Sequence, residues 1–129
     1  MNARQPIVLL VEDDESVREA LGRLFRISNL EVIAFATASD FLAYDRRGTP
    51  ACLLLDVYLP DGNGLELAAR LAATDPGLPV VLITAQLNEG LRRRAAIAGA
   101  FGFMVKPLDS DQLLDEIHRA LASVGGEPV

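Results

Sequence analysis

The sequence predicts a doubly wound α/β domain, a parallel five-stranded sheet sandwiched between helices. Three observations predict it. Short unbroken apolar runs recur, such as Ile7-Val8-Leu9-Leu10-Val11 and Cys52-Leu53-Leu54-Leu55, and runs of that length bounded by turn residues suit strands buried on both faces. Between them lie segments whose apolar residues recur at helical spacing, so strands and helices alternate. The runs also end abruptly on polar side chains, at the edge where open α/β sheets place their chemistry.

The elements follow in order. Ile7-Val8-Leu9-Leu10-Val11 reads as the first strand, closed by acids. From Asp14 the period changes: Val17, Ala20, Leu21, Leu24 and Phe25 share one helical face, with Arg18, Glu19, Arg23 and Arg26 opposite. Asn29 stops this helix, and Glu31-Val32-Ile33-Ala34-Phe35 forms the second strand. Thr37 offers an N-cap for a second helix reaching to about Arg46-Arg47-Gly48, and Thr49-Pro50 turns the chain into a third strand ending on Asp56. After the turn Pro60-Asp61-Gly62-Asn63-Gly64, a third helix turns Leu65, Ala68, Leu71 and Ala72 inward and stops at Asp75-Pro76-Gly77. Pro79-Val80-Val81-Leu82-Ile83-Thr84 is the fourth strand.

A less regular fourth helix spans residues 91–98 and stops at Gly99; a fifth strand over 101–105 ends on Lys106-Pro107. Asp109, with Gln112 three residues on, has the form of a capping box opening a last helix with Leu113, Ile117, Ala120 and Leu121 inward. Gly125-Gly126-Glu127-Pro128-Val129 reads as a tail or the start of a linker, which sets a domain over residues 1–123 and a tail over 124–129. Connections this short suit right-handed crossovers. The flavodoxin-like strand order 2-1-3-4-5 is one of two common solutions for such a sheet.

Composition narrows the function. The 129 residues form one domain of ordinary size, and a formal net charge of -6 argues against this segment gripping nucleic acid. No apolar run approaches the ~20 residues of a membrane span, and the N-terminus carries no basic-then-apolar signal segment. A single cysteine makes neither an internal disulfide nor a cysteine metal site, and Cys52, inside an apolar run, reads as a buried inert thiol. A cytoplasmic domain is expected.

Four of the five predicted strands end on a functional polar residue: the first on Glu12-Asp13, the third on Asp56, the fourth on Thr84 and the fifth on Lys106. In a parallel sheet these ends share one edge. Several carboxylates in one crevice repel unless a cation relieves them. Oxygen ligands suit a hard cation such as Mg²⁺, which takes one or two carboxylates, waters and a phosphate oxygen. Lys106 is the one lysine of a chain otherwise furnished with arginine, and it supplies a compact positive charge for a phosphate or carboxylate.

Taken together, Glu12-Asp13, Asp56, Thr84 and Lys106-Pro107, each after an apolar strand, resemble the receiver domain of two-component response regulators. The resemblance runs from about Ile7 to Leu121, and Pro60, Gly64 and Ala98-Gly99-Ala100 match the family's pattern too. Asp40-Phe41-Leu42-Ala43 and Cys52-Leu53-Leu54-Leu55-Asp56-Val57 further resemble the nitrogen-fixation-regulator subgroup, whose members usually carry a LuxR-type helix-turn-helix output domain.

The resemblance implies that Asp56 is the phosphoacceptor, taking a phosphoryl group from the phosphohistidine of a sensor histidine kinase. It implies Mg²⁺ held by Asp13, Asp56 and the main-chain carbonyl of Tyr58, with Glu12 acting through water. Lys106 would neutralise phosphoryl oxygens and Thr84 would donate its hydroxyl to one. Asp14 is read as a helix cap rather than a ligand, and Lys106-Pro107 as a cis peptide. Thr84 and Phe103 would be the switch pair, altering the face of the fourth helix, fifth strand and fifth helix for pairing with another subunit or domain. Arg92-Arg93-Arg94 on that helix reads as a solvated face. Tyr58 and Gln86 would flank the route of an attacking water and modulate dephosphorylation, and Ala85 would leave room for the phosphodonor.

No external metabolite is expected as substrate, so the chain reads as a switch rather than an enzyme. A flavin carrier would need a phosphate-cradling loop where Glu12-Asp13-Asp14-Glu15 stands, and an aspartate-nucleophile phosphatase would need a second acid where Tyr58 stands. A degenerate receiver would lack Asp56, Thr84 or Lys106, and all three are present. Two forms fit: the receiver portion of a longer transcription factor, touching DNA through its output domain, or a self-contained regulator acting by phosphotransfer or docking.

Overall fold

The computed structural model of the chain describes residues 5–46 and 48–124. Five parallel strands form one sheet: β1 (Ile7–Val11), β2 (Glu31–Phe35), β3 (Ala51–Asp56), β6 (Val80–Thr84) and β7 (Gly102–Val105), in the order β2-β1-β3-β6-β7. A short antiparallel hairpin, β4 (Tyr58–Leu59) with β5 (Gly62–Asn63), follows β3 and stands apart from that sheet. Setting the hairpin aside, this is the order 2-1-3-4-5.

Period-two alternation explains the two cores. Along β1 and β3, Ile7, Leu9, Val11, Leu53 and Leu55 point to one face, and Val8, Leu10, Cys52 and Leu54 to the other. The first face packs under α2 (Ala38–Leu42), α3 (Gly64–Thr74) and α4 (Glu89–Ile97) through Phe41, Leu67, Leu71 and Leu91. The second packs under α1 (Glu15–Ile27) and α5 (Ser110–Ala122) through Leu21, Phe25, Leu113 and Ile117. With both faces covered, β1 and β3 are buried throughout, which is why each reads as an unbroken apolar run. Each fully buried leucine contributes about 1.5–3 kcal/mol, before chain entropy is charged against it. Burial pushes the Cys52 thiol up to about 12, so it is inert as expected.

The caps follow the sequence. Asp14 accepts from Ser16 N and Val17 N, Thr37 from Asp40 N, and Asp109 from Asp111 N and Gln112 N. Asn29 (φ 64) and Gly99 (φ 88) take the left-handed conformation that ends α1 and α4. Two details of the helices differ. The second helix stops at Leu42 rather than near residue 47, because Arg46 is drawn away to the Thr49 carbonyl (2.6 Å) and, through both carboxylate oxygens, to Asp75. Ala20 and Ala72 are exposed, the inward places going to Gly22 and Leu67. The expected tail over 124–129 lies outside the described residues except for Val124, whose N–H bonds Leu121 O. Among the described residues no helix is long and apolar enough to cross a membrane.

Candidate functional site

Strand register brings the polar strand ends together. Val11 pairs Leu55, so Glu12 follows beside Asp56; Thr84 pairs Val105, so Lys106 follows beside Thr84. The ladder continues past the strands, with Lys106 N donating to Thr84 O, Val57 N to Ile83 O and Glu12 N to Phe35 O. These main-chain bonds fix where each side chain leaves the sheet.

Lys106 Nζ stands between two carboxylates, 2.8 Å from Glu12 Oε1 and 3.0 Å from Asp56 Oδ2. The other Asp56 oxygen accepts from Tyr58 N (3.0 Å), and the other Glu12 oxygen from Asp14 N (3.1 Å). Ligand atoms of Glu12, Asp13 and Asp56 lie within 4.8 Å of one another; Glu12 and Asp56 are buried and Asp13 is exposed. Burial raises the Glu12 carboxyl above the usual glutamate range, opposed by the bonds from Lys106 and Asp14. Burial alone would lower Lys106, but its bonds to Glu12 and Asp56 outweigh that and hold the ammonium above the ordinary lysine value. One cation thus serves two acids in a desolvated crevice, where removing it would leave buried charge uncompensated. The donor set is all oxygen and crowded with negative charge, and it fits a hard divalent cation.

The remaining expected residues sit around this centre. Thr84 is fully buried at the end of β6, and its hydroxyl both donates to Gln86 O and accepts from Gln86 N (each 3.1 Å); among the described hydrogen bonds it makes none to Asp56. Tyr58, Ala85 and Gln86 are exposed. Phe103 is half-buried on β7, and the Arg92 guanidinium lies 5.0 Å from its ring centroid, so this arginine is engaged rather than merely solvated. Arg93 and Arg94 are exposed as expected. The Lys106-Pro107 peptide is cis. A surface groove lies away from the acids, on α4, β7 and α5, with Arg92, Phe103, Glu116 and Arg119 among its walls.

Two supporting residues, Asp61 and Arg18, have roles that the sequence does not reveal, and a third, Gly64, gains a physical reason. Asp61, in the hairpin loop, accepts from Ala38 N, Ser39 N and Ser39 Oγ at 2.8–3.1 Å, tying the turn after Asp56 to the start of α2. Those bonds lower its carboxyl below the usual aspartate range. Arg18 reaches from α1 to the main-chain carbonyls of Glu12 (2.9 Å) and Asp13 (3.3 Å). Gly64, noted earlier as part of a turn pattern, is required by contact: a Cβ there would lie 2.3 Å from Asp56 O.

Comparison with known proteins matches this frame. Residues 8–118 match the model of the response regulator receiver domain family. The chain is 39% identical over 111 residues to Nodulation protein W of Bradyrhizobium diazoefficiens, covering 86% of this chain and 49% of that protein. It is 36% identical over 115 residues to the transcriptional regulatory protein TdiR of Thauera aromatica, covering 89% and 51%. The solved structure of the response regulator StyR superposes with a TM-score of 0.85 at 41% identity, covering 93% of this chain and 61% of that one. The chain spans about half the length of these two curated relatives. With the acids of β1 and β3 gathered around a lysine at the end of β7, the chain belongs to the response regulator receiver domain family.

Proposed function

We propose that Asp56 accepts a phosphoryl group from a sensor histidine kinase and that the resulting charge switches the domain to control transcription. The observation that carries this reading is Asp56 at the end of a central strand, buried, with the Lys106 ammonium at 3.0 Å and two more acids within ligand distance. An Asp56 carboxylate oxygen attacks phosphorus, and an O–P bond forms as the P–N bond of the donor phosphohistidine breaks. The electron pair stays on the imidazole, which takes up a proton. The chain's part is positioning and charge stabilisation, the usual content of phosphoryl transfer. Hydrolysis of the acyl phosphate restores Asp56, so the domain is a self-modifying switch and not an enzyme for an external metabolite.

Asp13, Asp56 and the main-chain carbonyl of Tyr58 would hold Mg²⁺, with Glu12 acting through water. When bound, Mg²⁺ supplies neutralising charge for the phosphoryl oxygens. Lys106 balances the same charge from the β7 side. Thr84 would exchange its bond to Gln86 O for one to a phosphoryl oxygen, and Phe103 would turn inward behind it, leaving Arg92. The face of α4, β7 and α5 would then change its pairing with a second copy or another domain. Tyr58 would shield the acyl phosphate, and Gln86 would orient water. The site stands in the cytoplasm, where a histidine kinase delivers its phosphate.

The transcriptional output rests on the relatives, about twice the length of this chain, and DNA would be touched through an output domain. Relatives of which the chain covers half stand beside one of which it covers a quarter, so receiver membership alone does not assign a LuxR-type output or the nitrogen-fixation subgroup. Incubation with a small phosphodonor and Mg²⁺, read by intact mass, tests the centre. Wild type gains one phosphoryl adduct that needs Mg²⁺, and Asp56→Asn gains none. The same adduct on both proteins overturns the assignment.

A further inference from the structure

The acids at the end of β1 sit on a bend, between the last residue of the strand and the Asp14 cap of α1. Such a segment holds its carboxylates in place only as well as its own backbone is held. Glu12 N is fixed by Phe35 O, and Asp14 N by the Glu12 carboxylate. The carbonyls of Glu12 and Asp13 are fixed from outside the bend: one nitrogen of the Arg18 guanidinium bonds both, at 2.9 and 3.3 Å. Arg18 lies one turn into α1, half-buried, on a helix whose own N-terminus is anchored by the Asp14 cap. The guanidinium therefore ties the acidic bend to a rigid element.

We infer that Arg18 is a positioning residue for the metal site, holding the backbone of Glu12 and Asp13 so that Asp13 and Asp56 meet a divalent cation at the right separation. This rests on the reading of the acids as a Mg²⁺ site. Two physical effects of Arg18 oppose each other, which makes the inference decidable. As a positive charge, Arg18 repels a divalent cation, so charge alone predicts that removing it tightens binding. As a brace for ligand backbone, its loss loosens the site; supports of this kind are worth about 10- to 100-fold in metal affinity. The charge reaches the site through a polar, partly solvated bend and is screened, whereas both carbonyl bonds are lost outright. The brace dominates.

Binding of Mg²⁺ to the full chain, followed by amide chemical shifts during titration with MgCl₂, tests this without relying on phosphorylation. In Arg18→Met the dissociation constant should rise about 10- to 100-fold. In Arg18→Lys, which keeps the charge and one donor nitrogen, it should rise less. Phosphorylation of Arg18→Met should be slow at low Mg²⁺ and recover at saturating Mg²⁺. Unchanged or tighter Mg²⁺ binding by Arg18→Met overturns the inference while leaving the metal site standing. If Arg18→Met does not fold, Arg18→Gln, which drops the charge and shortens the reach, decides: weaker binding supports the brace, and wild-type or tighter binding overturns it. A wild type that takes up no Mg²⁺ overturns the metal reading and the inference with it.

Discussion

Lys106 is shared by Glu12 at 2.8 Å and Asp56 at 3.0 Å, so the residue scale of this protein is a problem of dividing one cation between two acids. Phosphorylation would resolve it, because the phosphoryl group outbids a carboxylate for the ammonium. Tyr58 contributes its N–H to the Asp56 carboxylate while its side chain is 48% exposed at the rim. If that side chain slows water, Tyr58→Asn speeds loss of the acyl phosphate several-fold in a dephosphorylation time course, and an equal or slower rate removes the idea. Asp61 offers a pH test. Its folded carboxyl is held below the ordinary aspartate value, so its contribution to stability is present above that value and is lost as the pH falls through the folded one. Asp61→Ala should therefore melt below wild type at neutral pH, with the gap closing under strongly acid conditions. Cap, charge and acceptor were legible as residue types in the sequence. Which acid Lys106 would choose was not, because one-dimensional spacing carries no distances.

At the scale of elements, the turn after β3 is a closed device. Gly64 N donates to Val57 O at 2.7 Å, β4 pairs with β5, and Asp61 anchors the hairpin loop to α2. The hairpin was not anticipated, since two-residue strands leave no periodicity to detect. The close approach at Gly64 has a direct consequence. A Cβ would meet the Asp56 carbonyl oxygen at 2.3 Å and the Val57 Cα at 2.9 Å, and backbone cannot swing aside as a flexible side chain does. Gly64→Ala should cost about 1–3 kcal/mol or more by denaturant unfolding and should reduce Asp56 phosphorylation by displacing its strand end. Wild-type stability together with wild-type phosphorylation would refute this. The early stop of α2 is a similar lesson: Arg46 reads as a continuing helix residue until Asp75, far along the chain, offers both carboxylate oxygens to one of its nitrogens.

For the whole molecule, two layers of helices close a sheet whose candidate chemistry lies at one edge, while a surface groove lies on the α4, β7 and α5 face. Phe103 lines that groove, half-buried under Arg92. The net charge of -6 sets a further expectation. Phosphate contacts from lysine and arginine supply the non-specific affinity of DNA-binding proteins, and this chain places its surplus charge with the opposite sign. The isolated chain should show no measurable retention of duplex DNA in a filter-binding assay at physiological salt. Retention that weakens with added salt would overturn the view that DNA contact belongs to another domain.

By itself the sequence determined the alternation of strands and helices, the Asp14, Thr37 and Asp109 caps, the inert Cys52 and the identity of the polar residues at the strand ends. These are local properties, written in periodicity, turn chemistry and the length of apolar runs. Tertiary structure decided the strand order, the hairpin beside Asp56, the sharing of Lys106, the closure of Thr84 on Gln86 and the reach of Arg18 to the acidic bend. Each of these depends on distances between groups whose separation along the chain says nothing of their separation in space. Packing the two faces of one sheet is what converts the first set into the second.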